Sequence, residues 1–502
     1  MKNKQLNINT ISSILFPRLE DVVFISIFMG VVVMGPRLFN VDGDLGRHLT
    51  VGQYILQNLR IPTHDIFSHT MFGLQFTPHE WIAEILYAAS NMMLGLNGVV
   101  VLSALVIATT FMLVYRDTLR RCSMLIVSMG LTFLAAITSN LHWLARPHLF
   151  TFLFIALWTE RMERVSRGDH KLLWQFPLIM LLWVNIHGAF IAGFVIWGAY
   201  LVGWLWDHRL KTSEANSIKW NLLLSGGLSF LTTFLNPSGW RLWSTSLGYI
   251  QNRYLTSHTV EYQPPDFQQI GTWPFLVLLA LTIFILSRSQ RRLATQHTFL
   301  LIGWVVMSLY SARNIPLYAI VAVPILAEVI SIDLNNKYWQ RIENNVREID
   351  KMLRGHIWLV ATVILIPCIL MSGIPLDNQR RGNKFDPVVF PIQAVDWLES
   401  HPQEGNMFNY FIWGGYLLYR EWPEMHVFID GQTDFYGEAL TRQYKEVINL
   451  GEGWENILNT YQVEWIIIPT KSALAKVLIK DLQLPVLYSD ETTIIVRWKA
   501  TQ

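Results

Sequence analysis

Hydrophobic and polar positions fall along this chain in long blocks. Apolar stretches that reach, or nearly reach, the length of a bilayer-crossing helix lie at about 21–39, 97–116, 122–141, 147–162, 172–186, 188–207, 219–236, 272–288, 297–312, 314–332 and 355–374. They predict a membrane all-α bundle of about eleven transmembrane helices. Several blocks are short and end in polar residues, as segments lining a buried cavity do. From about Leu376 the pattern changes. "VVFPIQAVDWLESHP" and "EALTRQYKEVINL" have helical spacing, whereas "HVFID", "EWIIIP" and "TTIIVRW" read as strands. Such alternation predicts a small α/β domain. The expected division is a membrane domain over 1–375, with a first loop at 40–96, and a soluble domain over 376–502. "DNQRRGNKFDP" is the linker between them.

Charge sets the orientation. With the N-terminus in the cytoplasm, the inner loops carry 21 Lys and Arg against seven in the outer loops. This is the positive-inside bias of a plasma-membrane protein. It places the first loop and the C-terminal domain outside the cytoplasm. Composition agrees: 52% of the 502 residues are hydrophobic, only 15% are charged, and mean hydropathy is +0.31. Soluble domains carry about 25% charged residues. A net charge of +2 gives no reason to expect nucleic acid as a partner. The two cysteines fall in separate apolar blocks and imply no disulfide. No removable signal peptide, internal repeat or low-complexity tract is expected.

The unusual polar residues gather on the outer side. "FNVDGDLGRHLTVG" supplies Asp42, Asp44, Arg47 and His48, and "TPHEWIAE" supplies His79 and Glu80. Further along come His142, Arg146 and His148, then Asn185 and His187, then Arg313 and Asn314. Ionisable groups at membrane depth are costly, and such clusters are read as functional. The bland alternative is that short outer loops need polar residues anyway. Asp44 and His48 share one face of an expected amphipathic helix lying on the membrane surface, and Pro62 breaks the chain after it. Glu80 and Glu84 repeat that spacing at the start of a second helix. A carboxylate here suits general-base work on a hydroxyl, and arginines suit a phosphate. The other use of Asp42 and Asp44 is a divalent cation, Mg or Mn. No histidine pair has close zinc-motif spacing on one helix, so no protein-bound metal is expected from spacing alone. In the C-terminal part, Asp430 reads as a turn residue and Asp434 as an open binding candidate. The glycines of "IWGGYLLY" serve either a glycan's approach or close packing.

An acidic pair just after the first span, an amphipathic first loop, about eleven spans and a C-terminal outer domain resemble the type-C (GT-C) membrane glycosyltransferases. More narrowly, "DGDLGRHLTVGQYILQNLRIPTHDIFSHT", "HEWIAEIL", "NYFIWGGYLLY" and "VFIDGQTDFYG" resemble a bacterial family of multi-span cell-envelope proteins. The superfamily implies transfer of a sugar from a polyprenyl-phosphate carrier to a glycan, lipid or protein acceptor, usually with inversion. It implies Asp42 or Asp44 as base, and Arg146 and Arg313 as ligands of the lipid-linked phosphate. Glu80 is a further catalytic candidate. Arg47, His48, His79, His148, Asn185, His187, Asn314 and Asp434 are candidates for substrate contact. Gly46 and Arg47 stand where the narrow family often has bulky aromatics, which leaves an extra cation beside the acidic pair. The alternatives are a lipid or glycan transporter or flippase, and a non-catalytic assembly protein.

Overall fold

A computed structural model describes residues 13, 15–207, 213–289, 292–333, 337–371 and 383–498. The expected 375/376 boundary and most of the linker lie outside these residues. Each of the eleven apolar blocks contains a helix: Leu19–Val33, Leu96–Cys122, Leu125–Ser139, His148–Ser166, Gln175–Val184, Ile191–Asp207, Ser213–Thr232, Trp273–Arg288, Thr295–Tyr310, Ile315–Asp333 and Ile357–Met371. Among the described residues, five helical segments are long and apolar enough to cross a membrane. A sixth arises if Lys337–Met352 and Ile357–Leu370, bent by 67°, form one span. The protein is mostly helical, with a small C-terminal sheet.

The Leu96–Cys122 helix is the centre of the bundle. Leu19–Val33, His148–Ser166 and Ile315–Asp333 pack along it. Trp158 and Trp183, both fully buried, meet edge to face beside it. The two ends of the bundle differ in chemistry. His148 and Glu163 sit on one helix, about 22 Å apart at 1.5 Å per residue. Around Glu163, His297 and Tyr200 each donate to Oε2 at 2.8 Å, and Arg167 donates to Oε1 at 2.7 Å. That network ties three helices together. The candidate residues gather at the His148 end.

Two helices of the first loop cover that end. Asp44–Asn58 starts where the Asp42 side chain accepts the Asp44 N–H at 3.1 Å. It stops at Leu59, which is left-handed at φ 50°. Trp81–Leu94 begins directly after Glu80. The pair is locked by absent side chains. A Cβ on Gly52 would lie 2.0 Å from the Glu84 carbonyl oxygen, and one on Gly46 would lie 2.2 Å from the Gly415 carbonyl oxygen. Residues 45–52 are all buried, because Gly414–Glu421 covers the helix face that Trp81–Leu94 leaves free. The expected surface helix is therefore enclosed by protein on both sides.

The C-terminal sheet has the order β1-β2-β4-β3, with β1 Asn406–Asn409, β2 Val463–Pro469, β3 Val486–Ser489 and β4 Thr493–Arg497. β1 runs parallel to β2 and the other pairs are antiparallel. "EWIIIP" and "TTIIVRW" form the central pair. "HVFID" does not become a strand. Its backbone bonds go to the first loop and to one side chain: Val427 donates to Phe67 O and accepts from His69 N, while Phe428 donates to Asn409 Oδ1. The first loop thus occupies the place of a neighbouring strand. The "IPTHDIFS" stretch shapes that contact, since buried Asp65 accepts from the backbone of Phe67 and Ser68 and from the Ser68 hydroxyl.

Candidate functional site

Arg146 stands at the middle of the acidic cluster. Its Nη2 lies 3.0 Å from Asp42 Oδ2 and 3.1 Å from Asp44 Oδ2, and its Nη1 donates to Glu261 Oε1 at 2.7 Å. The short loop carrying Arg146 is pinned by two bonds to its backbone. Tyr87 donates its hydroxyl to Arg146 O at 3.0 Å, and Ala145 N donates to Leu38 O at 2.7 Å. Three carboxylates around one guanidinium leave a net charge of about −2. Burial raises Asp44 to about 6, against the pull of Arg146 and with the help of Asp42. Glu261, closer to the cation, is instead held down at about 2: burial opposes this, but Arg146 and Arg313 outweigh it. Asp42 Oδ1 accepts the Asp44 N–H, and its Oδ2 sits 3.0 Å from Arg146 Nη2 as an ion pair without a hydrogen bond. Asp44 Oδ1 faces the backbone of Gly431, where a Cβ would come within 1.7 Å of it.

A divalent cation at Asp42 and Asp44 does not fit this arrangement. The Arg146 guanidinium already sits 3.0–3.1 Å from both carboxylates, the space such an ion would need. Among the described residues, two other groups have metal-ligand spacing: His48 with Glu80 and Glu84, and Glu163 with His297 and Glu328. In the second, Glu163 already meets Arg121, Arg167 and Tyr200 as well as His297.

Beside the acidic cluster, Glu80 lies within a ring of three imidazoles. His48 Nδ1, His79 Nε2 and His187 Nε2 are 3.9, 3.8 and 3.6 Å from its oxygens. Burial raises the Glu80 carboxyl, with His79 and His48 opposing. Burial works against charging His48 and His79, yet both are raised, because Glu84 and Glu80 face the first and Glu80 and Asp434 the second. Asp434 Oδ2 reaches to 4.0 Å of His79 Nδ1. His148 Nε2 donates to the His142 carbonyl at 2.7 Å, and the His148 ring packs edge-on to His187.

Arg313 has no carboxylate within ion-pair distance among the described residues. Its guanidinium lies over the Tyr262 ring, 4.5 Å from the centroid. It is the cation left with capacity for an added anion.

Other candidates have structural work. Arg47 is 3% exposed and forms an ion pair with Asp430, which is fully buried. Phe67 and Phe76 lie against its guanidinium. Asp430 is thus more than a turn residue: besides capping Gln432 N at 2.9 Å, it holds Arg47 and the Tyr436 hydroxyl. The expected extra cation beside the acidic pair is therefore a bolt between the first loop and the C-terminal region. Asn185 accepts from Trp81 Nε1 at 2.8 Å and donates to Leu181 O and Leu235 O, which uses up its amide. Asn314 donates to the carbonyls of Met307 and Ser311 and closes the helix before it. Gly414 and Gly415 permit close packing: a Cβ would meet Ile429 O at 2.3 Å and Gly43 O at 2.1 Å. Sequence reasoning missed Glu261. It is one of two acids in "HTVEYQPPDF", and only its placement in an outer loop hinted at a role.

No protein-family model and no curated protein matches the sequence. Solved structures do match. The chain superposes on the oligosaccharyltransferase AglB of Archaeoglobus fulgidus, determined with an inhibitory peptide and a dolichol-phosphate. The TM-score is 0.61 and identity 11%, over 90% of this chain and 69% of that one. It also superposes on ArnT of Cupriavidus metallidurans in the apo state, with TM-score 0.54 and identity 11%, over 95% and 97% of the two chains. The chain shares the fold of these two proteins.

Proposed function

We propose that this protein is an integral membrane glycosyltransferase that moves a sugar from a polyprenyl-phosphate carrier to an acceptor at the outer face of the membrane. The observation that carries the reading is Asp44. It is a carboxylate at the first turn of an enclosed helix, held by Arg146 and poised near pH 6 within a fold shared with an enzyme seen bound to dolichol-phosphate.

In this reading the acceptor oxygen attacks the anomeric carbon of the sugar. Its proton passes to the Asp44 carboxylate. The bond from the anomeric carbon to the phosphate oxygen breaks, and polyprenyl phosphate leaves with the electron pair. Attack opposite the leaving group inverts the anomeric centre. Arg313, with no carboxylate within ion-pair distance among the described residues, binds the phosphate and stabilises the charge that develops on it. Arg146 is a positioning residue: it holds Asp42 and Asp44 and keeps Asp44 ionised near neutral pH. His148 and Asp434 are the remaining candidates for hydroxyl groups of the sugar or acceptor.

The test uses wild type and Asp44→Asn in lipid nanodiscs, with a panel of radiolabelled polyprenyl-phosphate sugars and a membrane extract as acceptor. Asp44→Asn is expected to keep donor binding and lose about 10²–10⁴-fold in transfer. Full transfer by the folded variant would remove Asp44 as the base. A wild type that neither binds nor consumes any donor would turn the reading toward a transporter or an assembly protein.

A further inference from the structure

The ring around Glu80 contains more ligand capacity than hydrogen bonding uses. His48 Nδ1 is 3.5 Å from Glu84 Oε1 and 3.9 Å from Glu80 Oε2, and His79 Nε2 is 3.8 Å from Glu80 Oε1. Charge-assisted N–H···O bonds close to about 2.7–2.9 Å. The gaps here are longer than that. Four ligands at about 2.1 Å from a tetrahedral ion stand about 3.4 Å from one another. The ligand atoms of His48, Glu80 and Glu84 all lie within 4.8 Å of each other. Glu84 is 3% exposed, and its Oε2 has no hydrogen-bond partner. A buried carboxylate oxygen with no donor is costly unless something else meets it.

The other two imidazoles lie outside that group. The Thr77 carbonyl lies 3.0 Å from His79 Nδ1 and can only accept, so that nitrogen carries a proton. His187 is the reverse. Its Nδ1 accepts the Ala189 N–H at 3.4 Å, with the Thr151 hydroxyl at 2.9 Å, so Nε2 carries the proton and donates toward Glu80. His187 therefore supports the carboxylate and does not ligate. Close packing fixes the frame, since the backbone of Gly52 touches that of Glu84.

We propose that His48 Nδ1 and the carboxylates of Glu80 and Glu84 bind one zinc ion. One imidazole nitrogen with two carboxylate oxygens leaves a fourth position open; the nitrogen suits zinc and disfavours magnesium, which takes oxygen ligands and retains water. The ion neutralises two carboxylates and clamps the Asp44–Asn58 helix to Trp81–Leu94. It is separate from the Asp42–Asp44 pair, where Arg146 supplies the positive charge. The inference does not depend on the glycosyl-transfer reading.

The experiment uses the full-length, tag-free protein in detergent, stripped with EDTA and then dialysed against zinc chloride. Elemental analysis should find about one zinc per wild-type chain and below about one tenth in Glu84→Gln and in His48→Gln. His187→Asn should retain its zinc. Added zinc should raise the unfolding temperature of stripped wild type by at least about 3 °C. Wild type that holds no zinc and shows no thermal shift overturns the proposal, as does zinc retained in both ligand variants. If either variant elutes as aggregate, the comparison of stripped and zinc-loaded wild type decides.

Discussion

Replacing Arg146 with glutamine removes the one cation among the described residues that pairs with Asp42, Asp44 and Glu261 together. Its consequence can be read in a pH profile. With Asp44 raised to about 6, a base that must be ionised is about 90% active at pH 7 and about 10% active at pH 5, so kcat/KM falls as pH drops through about 6. A cation 3.1 Å from the carboxylate favours its charged form, and opposite charges at such range move a carboxyl by about one to three pH units. Without Arg146 the acidic midpoint moves up to between about 7 and 9. The ionised fraction at pH 7 then falls from about 0.9 to between about 0.5 and 0.01, a loss of roughly 2- to 90-fold that is recovered at higher pH. The assay is kcat/KM for sugar transfer from pH 5 to 9 in nanodiscs, with donor binding measured separately. An Arg146→Gln enzyme with an unchanged midpoint and a raised KM for the donor would refute this reasoning. It would make Arg146 a phosphate ligand instead.

Other outcomes follow from the same geometry. Arg313→Gln should raise the donor KM about 10-fold or more while leaving the acidic midpoint near 6, because Arg313 is not among the charges that shift Asp44; equal donor binding in wild type and variant would exclude it from phosphate recognition. Gly431→Ala should cut transfer strongly with little change in unfolding temperature, since the new methyl would fall 1.7 Å from Asp44 Oδ1; normal turnover would show that Asp44 can move without loss. Arg47→Met should cost about 3–5 kcal/mol by leaving Asp430 buried and unpaired, and thermal unfolding measures it. A double change of Arg47→Met with Asp430→Leu should recover part of that loss, and no recovery would mean that the ion pair is not what the single change breaks.

The sequence alone determined the helices and their order. Eleven apolar blocks are local signals, and each one became helical because backbone groups in an apolar setting must satisfy one another within the segment. It also located Asp42, Asp44, Glu80, Arg146 and Arg313, because charge beside an apolar block is conspicuous in one dimension. What it could not decide was how those charges are shared. Arg47 lies beside the acidic pair in sequence, yet helix geometry turns it away to Asp430, 383 positions later. Glu261 has no local mark, and it matters only because its loop folds against Arg146. "HVFID" has the pattern of a strand, but the first loop took its hydrogen bonds. The histidines carry no metal spacing along the chain. Their convergence on Glu80 comes from two helices and two loops, brought together by glycine contacts of the Gly52–Glu84 kind. Periodicity reports which face of an element avoids water. Only packing decides which of the polar groups on the other face come to within 4 Å of each other.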